Sequence, residues 1–257
     1  MALTRCLQHS EFHARLCQRV AHPQLLDPRE PWTDADRYAR LRAAEGPPPA
    51  VDTPGSRRAS ALIQPMLQVL RAGPRRVLDI GCDDGSVLDA LATHWQVECA
   101  VGVDTRAGAI GRASRLHPAH CFYCLDATAD AATHLFEDVD TVVLSMVLHH
   151  LTAEQRDRLR RRLQQAPRLR WVLVREHDCD APGWRDFLEV VHGLYALHED
   201  PTFVDHYHAD FQSKTQWVGW GATIGRCVRS TSSESRRGAD GRFRNPTRSF
   251  CALFQTS

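Results

Sequence analysis

From Arg76 onward, short apolar runs alternate with stretches in which apolar residues recur every three or four positions. The runs VLDI (77–80), VECAVGVD (97–104), CFYCLD (121–126), TVVLSMVL (141–148) and WVLVRE (171–176) read as strands. The spacing between them predicts helices over Val87 to Thr93, Arg106 to Leu116, Ala129 to Phe136 and Ala153 to Gln165, with a fifth around Trp184 to Leu197. Successive strand-then-helix units need crossovers, and right-handed crossovers put helices on both faces of a mainly parallel sheet. The chain then changes character. After a helix near Ser213 to Trp220, the runs Thr223 to Arg229 and Phe250 to Phe254 flank a long polar segment rich in Ser, Gly and Arg, which reads as a terminal antiparallel hairpin.

Ahead of this pattern, two helices are predicted over Arg5 to Val20 and Asp34 to Ala44, with Thr33 or Asp34 as the cap of the second. GPPPAVDTPG (46–55) breaks all periodicity and reads as a linker, after which Ala59, Leu62, Ile63, Met66, Leu67 and Leu70 mark another helix. The expected organisation is a helical extension and linker over 1–55 and one catalytic-sized domain over 56–257. Its fold class is α/β: a doubly wound, mainly parallel seven-stranded sheet with an antiparallel terminal hairpin, plus the N-terminal helices.

Composition narrows the setting. No run approaches the roughly 18 apolar residues of a membrane helix, and the start MALTRCLQHSEFHARLC has His, Glu and Arg where a signal peptide is unbroken and apolar. Nine cysteines scattered through strands and helices fit reduced thiols, so the expectation is a cytoplasmic, reducing compartment and no membrane partner. The net charge of +1 supplies no global field for nucleic acid, so RNA binding would need a local basic patch. Lys214 is the only lysine, a bias toward arginine that reflects coding composition more than chemistry.

In an open parallel sheet, ligands bind beyond the carboxyl ends of the strands. The first such end reads DIGCDDG (79–85). Gly81 and Gly85 allow a ligand close to the backbone, but a dinucleotide fingerprint needs a third glycine where Asp83 stands. Asp83 and Asp84 are electrostatically wrong for a pyrophosphate and suit a ligand carrying positive charge.

These residues resemble the first motif of class I S-adenosylmethionine-dependent methyltransferases, and the resemblance runs in order over roughly 76–254. It implies S-adenosylmethionine as cofactor. Asp79 would stand near the methionine amino group, with Gly81, Cys82, Asp83 and Gly85 forming the loop. Asp104 would take both ribose hydroxyls beside Thr105, and Asp126 with Ala127 would meet the adenine. Ser145 and Met146 begin SMVLHH, the segment that faces cofactor and acceptor in this family. Taken singly, each acid also reads as a cap or turn residue.

Methyl transfer from a sulfonium is an in-line displacement, so the protein contributes alignment, and a base where the acceptor must lose a proton. The candidates are His149 and His150 in LHHL, and Glu176 and His177 in REHD. The alternatives are that the two histidines pack a turn and that Glu176, His177 and Asp178 cap a helix. Arg175, Tyr207 and Lys214 are candidate acceptor contacts; Ser213, Lys214 and Trp217 match a Ser-Lys-x-x-Trp segment of some relatives, with Phe211-Gln212 in place of Tyr-Arg. No metal is expected: the CxxC pair Cys121 and Cys124 lies on one strand, where residues three apart point to opposite faces. The arginine run over 156–162 reads as a solvated helix face with Glu154 and Asp157 as partners. The forms of DIGCDDG, REHD and Ser-Lys-x-x-Trp resemble viral RNA- and cap-modifying methyltransferases, which points to RNA as acceptor. A small-molecule O- or N-acceptor is the alternative, and a catalytically silent partner subunit is a third reading.

Overall fold

The computed structural model describes residues 2–44, 62–63, 69, 73–180, 183–196, 209–233 and 249–256. They fall into two compact units. One comprises 53–178, 213–234 and 248–257, the other 1–52, 179–212 and 235–247.

The larger unit is a seven-stranded sheet in the order β3-β2-β1-β4-β5-β7-β6. Its elements run β1 (Arg76–Ile80), helix Ser86–Trp95, β2 (Cys99–Asp104), helix Ala107–Leu116, β3 (Cys121–Cys124), a 3-10 turn Asp130–Phe136, β4 (Thr141–Ser145), helix Ala153–Gln165, β5 (Trp171–His177), helix Lys214–Ala222, β6 (Arg226–Ser233) and β7 (Ser249–Gln255). The first five strands are parallel; β7 runs antiparallel to β5 and β6 to β7. The expected α/β sheet with its terminal hairpin is therefore the fold.

Period-two alternation assigns the strand residues to two cores. Leu78, Ile80, Val142 and Leu144 pack with Leu159, Leu163 and Trp217 on one face. Val77, Val143 and Leu173 pack with Val87, Leu88 and Leu91 on the other. Each such side chain taken fully out of water contributes about 1.5–3 kcal/mol, and strands buried on both faces explain why the runs read as continuous apolar sequence. The segment expected as helix over 129–136 is instead wound as a 3-10 turn, Asp130–Phe136.

In the smaller unit, α1 (Ala2–Gln8), α2 (Ser10–Cys17), α3 (Asp34–Ala44) and α4 (Trp184–Ala196) enclose a separate core around Leu3, Phe12, Leu16, Leu41, Phe187 and Val190. Arg5 forms a double hydrogen bond to Asp186, both at 2.7 Å. The single helix expected over 5–20 is broken at His9, whose backbone is extended. The helix after β5 thus belongs with the N-terminal helices, whereas the sequence placed it among the crossovers. The linker at 46–55, most of the helix expected over 59–70, and residues 234–248 of the polar hairpin segment lie outside the described residues; its first residues, 230–233, extend β6. Among the described residues no helix is long and apolar enough to cross a membrane, and all nine cysteines are free thiols.

Candidate active site

The strand order reverses between β1 and β4, so their carboxyl ends diverge into a crevice at this switch point. Gly81 lines it in the left-handed region (φ 75°), and a Cβ built there would stand 2.8 Å from Val147 Cγ2. Its N–H and that of Cys82 donate to Val103 O, tying the loop to β2. Asp83 also has positive φ (50°). That is the conformation a glycine would take freely, and Asp tolerates it better than most residues, so the departure from the glycine pattern keeps the loop geometry. Gly85 (φ 78°) is closed in by Phe122 and His117.

Three acids stand at three successive strand ends. Asp79 is 1% exposed, and its Oδ1 has no hydrogen-bond partner among the described residues. Burial, reinforced by Asp104 and Asp83, pushes its carboxyl up to about 7. A buried carboxyl oxygen without a partner fits a cationic group brought by a ligand. Asp104 is 7% exposed; its Oδ1 accepts from Arg106 N–H at 2.9 Å and its Oδ2 from Asp83 N–H at 3.1 Å. Thr105 next to it is exposed. Asp126 Oδ1 accepts from Thr128 N–H at 2.7 Å, and Ala127 beside it is buried.

The two acids expected to face a cationic ligand do something else. The Asp83 carboxylate pairs with Arg106 at 3.0 Å and Arg112 at 3.4 Å. Asp84 Oδ1 accepts from Ser86 N–H at 3.1 Å, at the start of the following helix. Asp79 is the acid left for a ligand's charge.

At the ends of β4 and β5 the chain builds a buried polar pair. Glu176 and His149 are both 0% exposed, and Glu176 Oε2 lies 2.7 Å from His149 Nδ1. Glu176 Oε1 accepts from Leu148 N–H at 2.7 Å. Burial alone would raise the Glu176 carboxyl. The charge of His149 and its hydrogen bond outweigh burial and hold it below the usual carboxylate range. Beside an ionised Glu176, His149 Nδ1 carries a proton, and in the neutral form of the ring Nε2 is then the atom that can accept one. His150 is exposed, with its ring 4.1 Å from that of His149. His177 lies 5.4 Å from His149, and burial, reinforced by the charge of His149, pushes it down to about 3, so it is neutral at ordinary pH. Asp178 Oδ1 accepts the N–H of Lys214 at 3.0 Å, at the start of a helix whose N-cap is Ser213, not of the helix that follows β5.

The strand backbone sets this arrangement. Met146, in the left-handed region (φ 60°), donates its N–H to Arg175 O at 2.8 Å, turning the chain immediately after Ser145. Lys214, expected at the acceptor, donates from Nζ to Ser232 Oγ at 2.8 Å. Tyr207 lies outside the described residues. Cys121 and Cys124 are exposed on β3.

Sequence reasoning missed Val147, Arg156 and Arg162. Arg156 is 7% exposed and donates to the carbonyls of Leu151 (2.6 Å) and Leu148 (3.3 Å). Arg162 donates to those of Ala127 (2.8 Å) and Ala129 (2.5 Å). The signal was periodicity: Arg156 shares a helical stripe with Leu159 and Leu163, at i+3 and i+7. The rest of the run is solvated as expected, with Arg158 on Glu154 (2.9 Å) and Arg160 and Arg161 on Asp157 (2.5 and 2.6 Å).

A family profile described as a methyltransferase domain matches residues 52–234. Comparison with curated protein sequences gave no match. Among solved structures, the chain is similar to the N-methyltransferase NodS from Bradyrhizobium japonicum WM9 in complex with S-adenosyl-L-homocysteine, at 18% identity and a TM-score of 0.55, over 85% of this chain and 96% of that one. Magnesium protoporphyrin IX methyltransferase (ChlM) from Synechocystis PCC 6803, also with bound S-adenosylhomocysteine, aligns at 16% identity and 0.56, over 86% and 93%. The mitomycin 7-O-methyltransferase MmcR aligns at 14% and 0.52, over 99% of this chain and 66% of its own. At these identities the likeness is one of fold.

Proposed function

The chain belongs to the methyltransferase-domain family and is an S-adenosylmethionine-dependent methyltransferase; from that premise we propose that it methylates an oxygen or nitrogen atom of a small acceptor, with His149 receiving the acceptor's proton. The observation that carries this reading is the fully buried pair of Glu176 and His149, 2.7 Å apart at the sheet's carboxyl edge.

Asp79, Asp104 and Asp126 would hold the cofactor's amino group, ribose and adenine, and Gly81 and Gly85 give the loop between them its left-handed turns. When bound, it supplies an electrophilic methyl group on a positively charged sulfur. The remaining work falls to the chain. Val147 and the Gly81 turn bring the loops after β1 and β4 together, which sets the alignment on which in-line transfer depends. Glu176 holds the proton of His149 on Nδ1, so that Nε2 can accept a proton as the acceptor atom becomes methylated. Its negative charge then stabilises the imidazolium. Burial keeps water from competing for that proton.

Several observations favour a small acceptor over RNA. The proton receiver is wholly buried, and Arg158, Arg160 and Arg161 already face carboxylates of their own helix. A phosphate backbone needs cations with free capacity. The test uses labelled S-adenosylmethionine with separate pools of hydroxyl- and amine-bearing metabolites, capped RNA, uncapped RNA and protein. Label is expected in the metabolite pool and dependent on Glu176. Label confined to either RNA pool would overturn the acceptor class, and failure to bind S-adenosylhomocysteine in calorimetry would support a silent subunit.

A further inference from the structure

Two arginines of helix Ala153–Gln165, the buried Arg156 and the half-buried Arg162, reach different loops. Arg156 enters the loop after β4: its Nη1 donates to Leu151 O at 2.6 Å and Leu148 O at 3.3 Å, while its guanidinium lies 5.6 Å from the Trp217 ring. Leu148 is therefore held on both sides, its N–H by Glu176 (2.7 Å) and its C=O by Arg156. Arg162 enters the loop after β3: its Nη1 donates to Ala127 O and Ala129 O, and its Nη2 to Asp130 Oδ1 at 3.0 Å. Asp126 opens that loop, and its carboxylate is fixed from within by Thr128 N–H.

We infer that Arg156 and Arg162 are positioning residues through which one helix sets both halves of the site, Arg156 orienting the His149 loop and Arg162 the Asp126 loop. The inference rests on the cofactor and proton-receiver roles proposed above. Buried carbonyls need donors; Leu148 O and Ala129 O each also accept a backbone N–H, from Leu151 at 3.2 Å and Ala132 at 2.9 Å, so the arginines add a side-chain donor to turns the backbone has begun. A guanidinium never loses its proton, and its fork reaches two carbonyls at once. The helix carrying both arginines is anchored by Leu159 and Leu163, 0% and 1% exposed, so the two forks extend from a rigid support. Its N-terminus is fixed as well, by a reciprocal pair in which Thr152 Oγ1 accepts from Gln155 N–H and Gln155 Oε1 from Thr152 N–H. The partners of Arg158, Arg160 and Arg161 lie within the helix itself: Glu154, Asp157 and, for Arg160, also Gln164 Oε1 at 2.9 Å. These arginines, paired within their own helix, serve as internal controls.

Two readouts that need no acceptor separate the roles: the dissociation constant of S-adenosylhomocysteine by calorimetry, and the imidazole nitrogen NMR signals that report which His149 nitrogen carries the proton. Arg162→Met is expected to weaken S-adenosylhomocysteine about tenfold or more, the scale seen when groups orienting a ligand's own partners are lost, with His149 signals unchanged. Arg156→Met is expected to do the reverse, moving His149 from a fixed Nδ1 proton toward mixed tautomers and leaving the dissociation constant within about twofold. Arg158→Met should move neither. If Arg156→Met does not fold by circular dichroism, Arg156→Gln, which keeps one donor for Leu151 O, is scored in its place. The inference is overturned if Arg156 and Arg162 variants move both readouts together, or lower only the melting temperature. Glu176→Gln is assayed separately for methyl transfer: a parental rate there removes the proposed chemistry while leaving this division of labour to stand or fall on its own readouts.

Discussion

Gly81 and Val147 meet across the switch point so closely that a Cβ on the glycine would lie 2.8 Å from Val147 Cγ2. The loop carrying Asp79's neighbours and the loop carrying His149 are thereby fixed against each other. Gly81→Ala has two consequences: strain from φ 75°, about 1–2 kcal/mol, and a clash with a branched side chain. Affinity for S-adenosylhomocysteine should fall at least tenfold. Adding Val147→Ala relieves the clash but not the dihedral strain, so the double variant should recover part of the loss. Complete recovery would show that the glycine is needed for space alone.

Asp79 ties cofactor binding to pH. Its carboxyl titrates near 7 in the free protein because of burial and its neighbours Asp104 and Asp83. A cationic amino group placed beside it would lower that value, so binding should release a proton and affinity should rise with pH up to about 7 and then level. Calorimetry in buffers of different ionisation enthalpy measures the release directly. The sign for stability is opposite. The folded state holds this proton more tightly than the unfolded chain does, so stability falls as pH rises from about 4 toward 7. Asp79→Asn should therefore flatten the pH dependence of binding, weaken it at pH 8, and raise the free protein's stability there by roughly 2–4 kcal/mol. Unaltered pH dependence in Asp79→Asn would place the linked proton elsewhere.

How far the sequence reached follows from what its signals encode. Apolar runs and helical periods report local burial, so the five parallel strands and the terminal hairpin were readable, as were Asp79, Asp104 and Asp126 at successive strand ends. Partners brought together by folding were not. Asp83 and Asp84 read as charges facing a ligand until Arg106, Arg112 and the Ser86 N–H were seen to take them. Lys214 stood out as the lone lysine, yet its Nζ meets a hydroxyl on β6. The adjacency of His149 and His150 implied that one faces inward; only the fold shows that His149 does, and that Glu176, 27 residues away, meets it.

Acid should destabilise the fold through His177. Burial and the charge of His149 push this imidazole down to about 3, against 6.5 in an open chain. Between those values the unfolded chain binds a proton that the folded one refuses, so stability is full above about 6.5 and is lost as pH falls toward 3, at up to ~1.4 kcal/mol per pH unit. His177→Phe removes this contribution but leaves the opposing one of Asp79, so in chemical denaturation at pH 7, 6 and 5 the variant should lose less stability with acid than the parent does, or gain more. An unchanged slope would assign the limb to other groups. The same depression excludes His177 as the origin of any activity step between pH 6 and 8.

The proposed proton receiver is the His149 and Glu176 pair, and Glu176→Gln is the variant that isolates it. The glutamine fits the same space and its carbonyl oxygen can still accept the Leu148 N–H. Its amide then presents N–H toward His149 Nδ1, where the carboxylate had accepted at 2.7 Å. His149 must turn that nitrogen into an acceptor and move its proton to Nε2, the atom proposed to receive the acceptor's proton. The loss is therefore twofold, in available base and in the negative charge that stabilises the imidazolium. A positioned base contributes about 10²–10⁴-fold, so methyl transfer should fall by that factor with affinity for S-adenosylhomocysteine within about twofold of the parent. His149→Gln should fall equally, and the double variant no further, because the two residues act as a unit. A drop of less than about tenfold in Glu176→Gln, with a normal fold, would reduce the pair to a support for the Leu148 turn and move proton removal to the exposed ring of His150, 4.1 Å from His149.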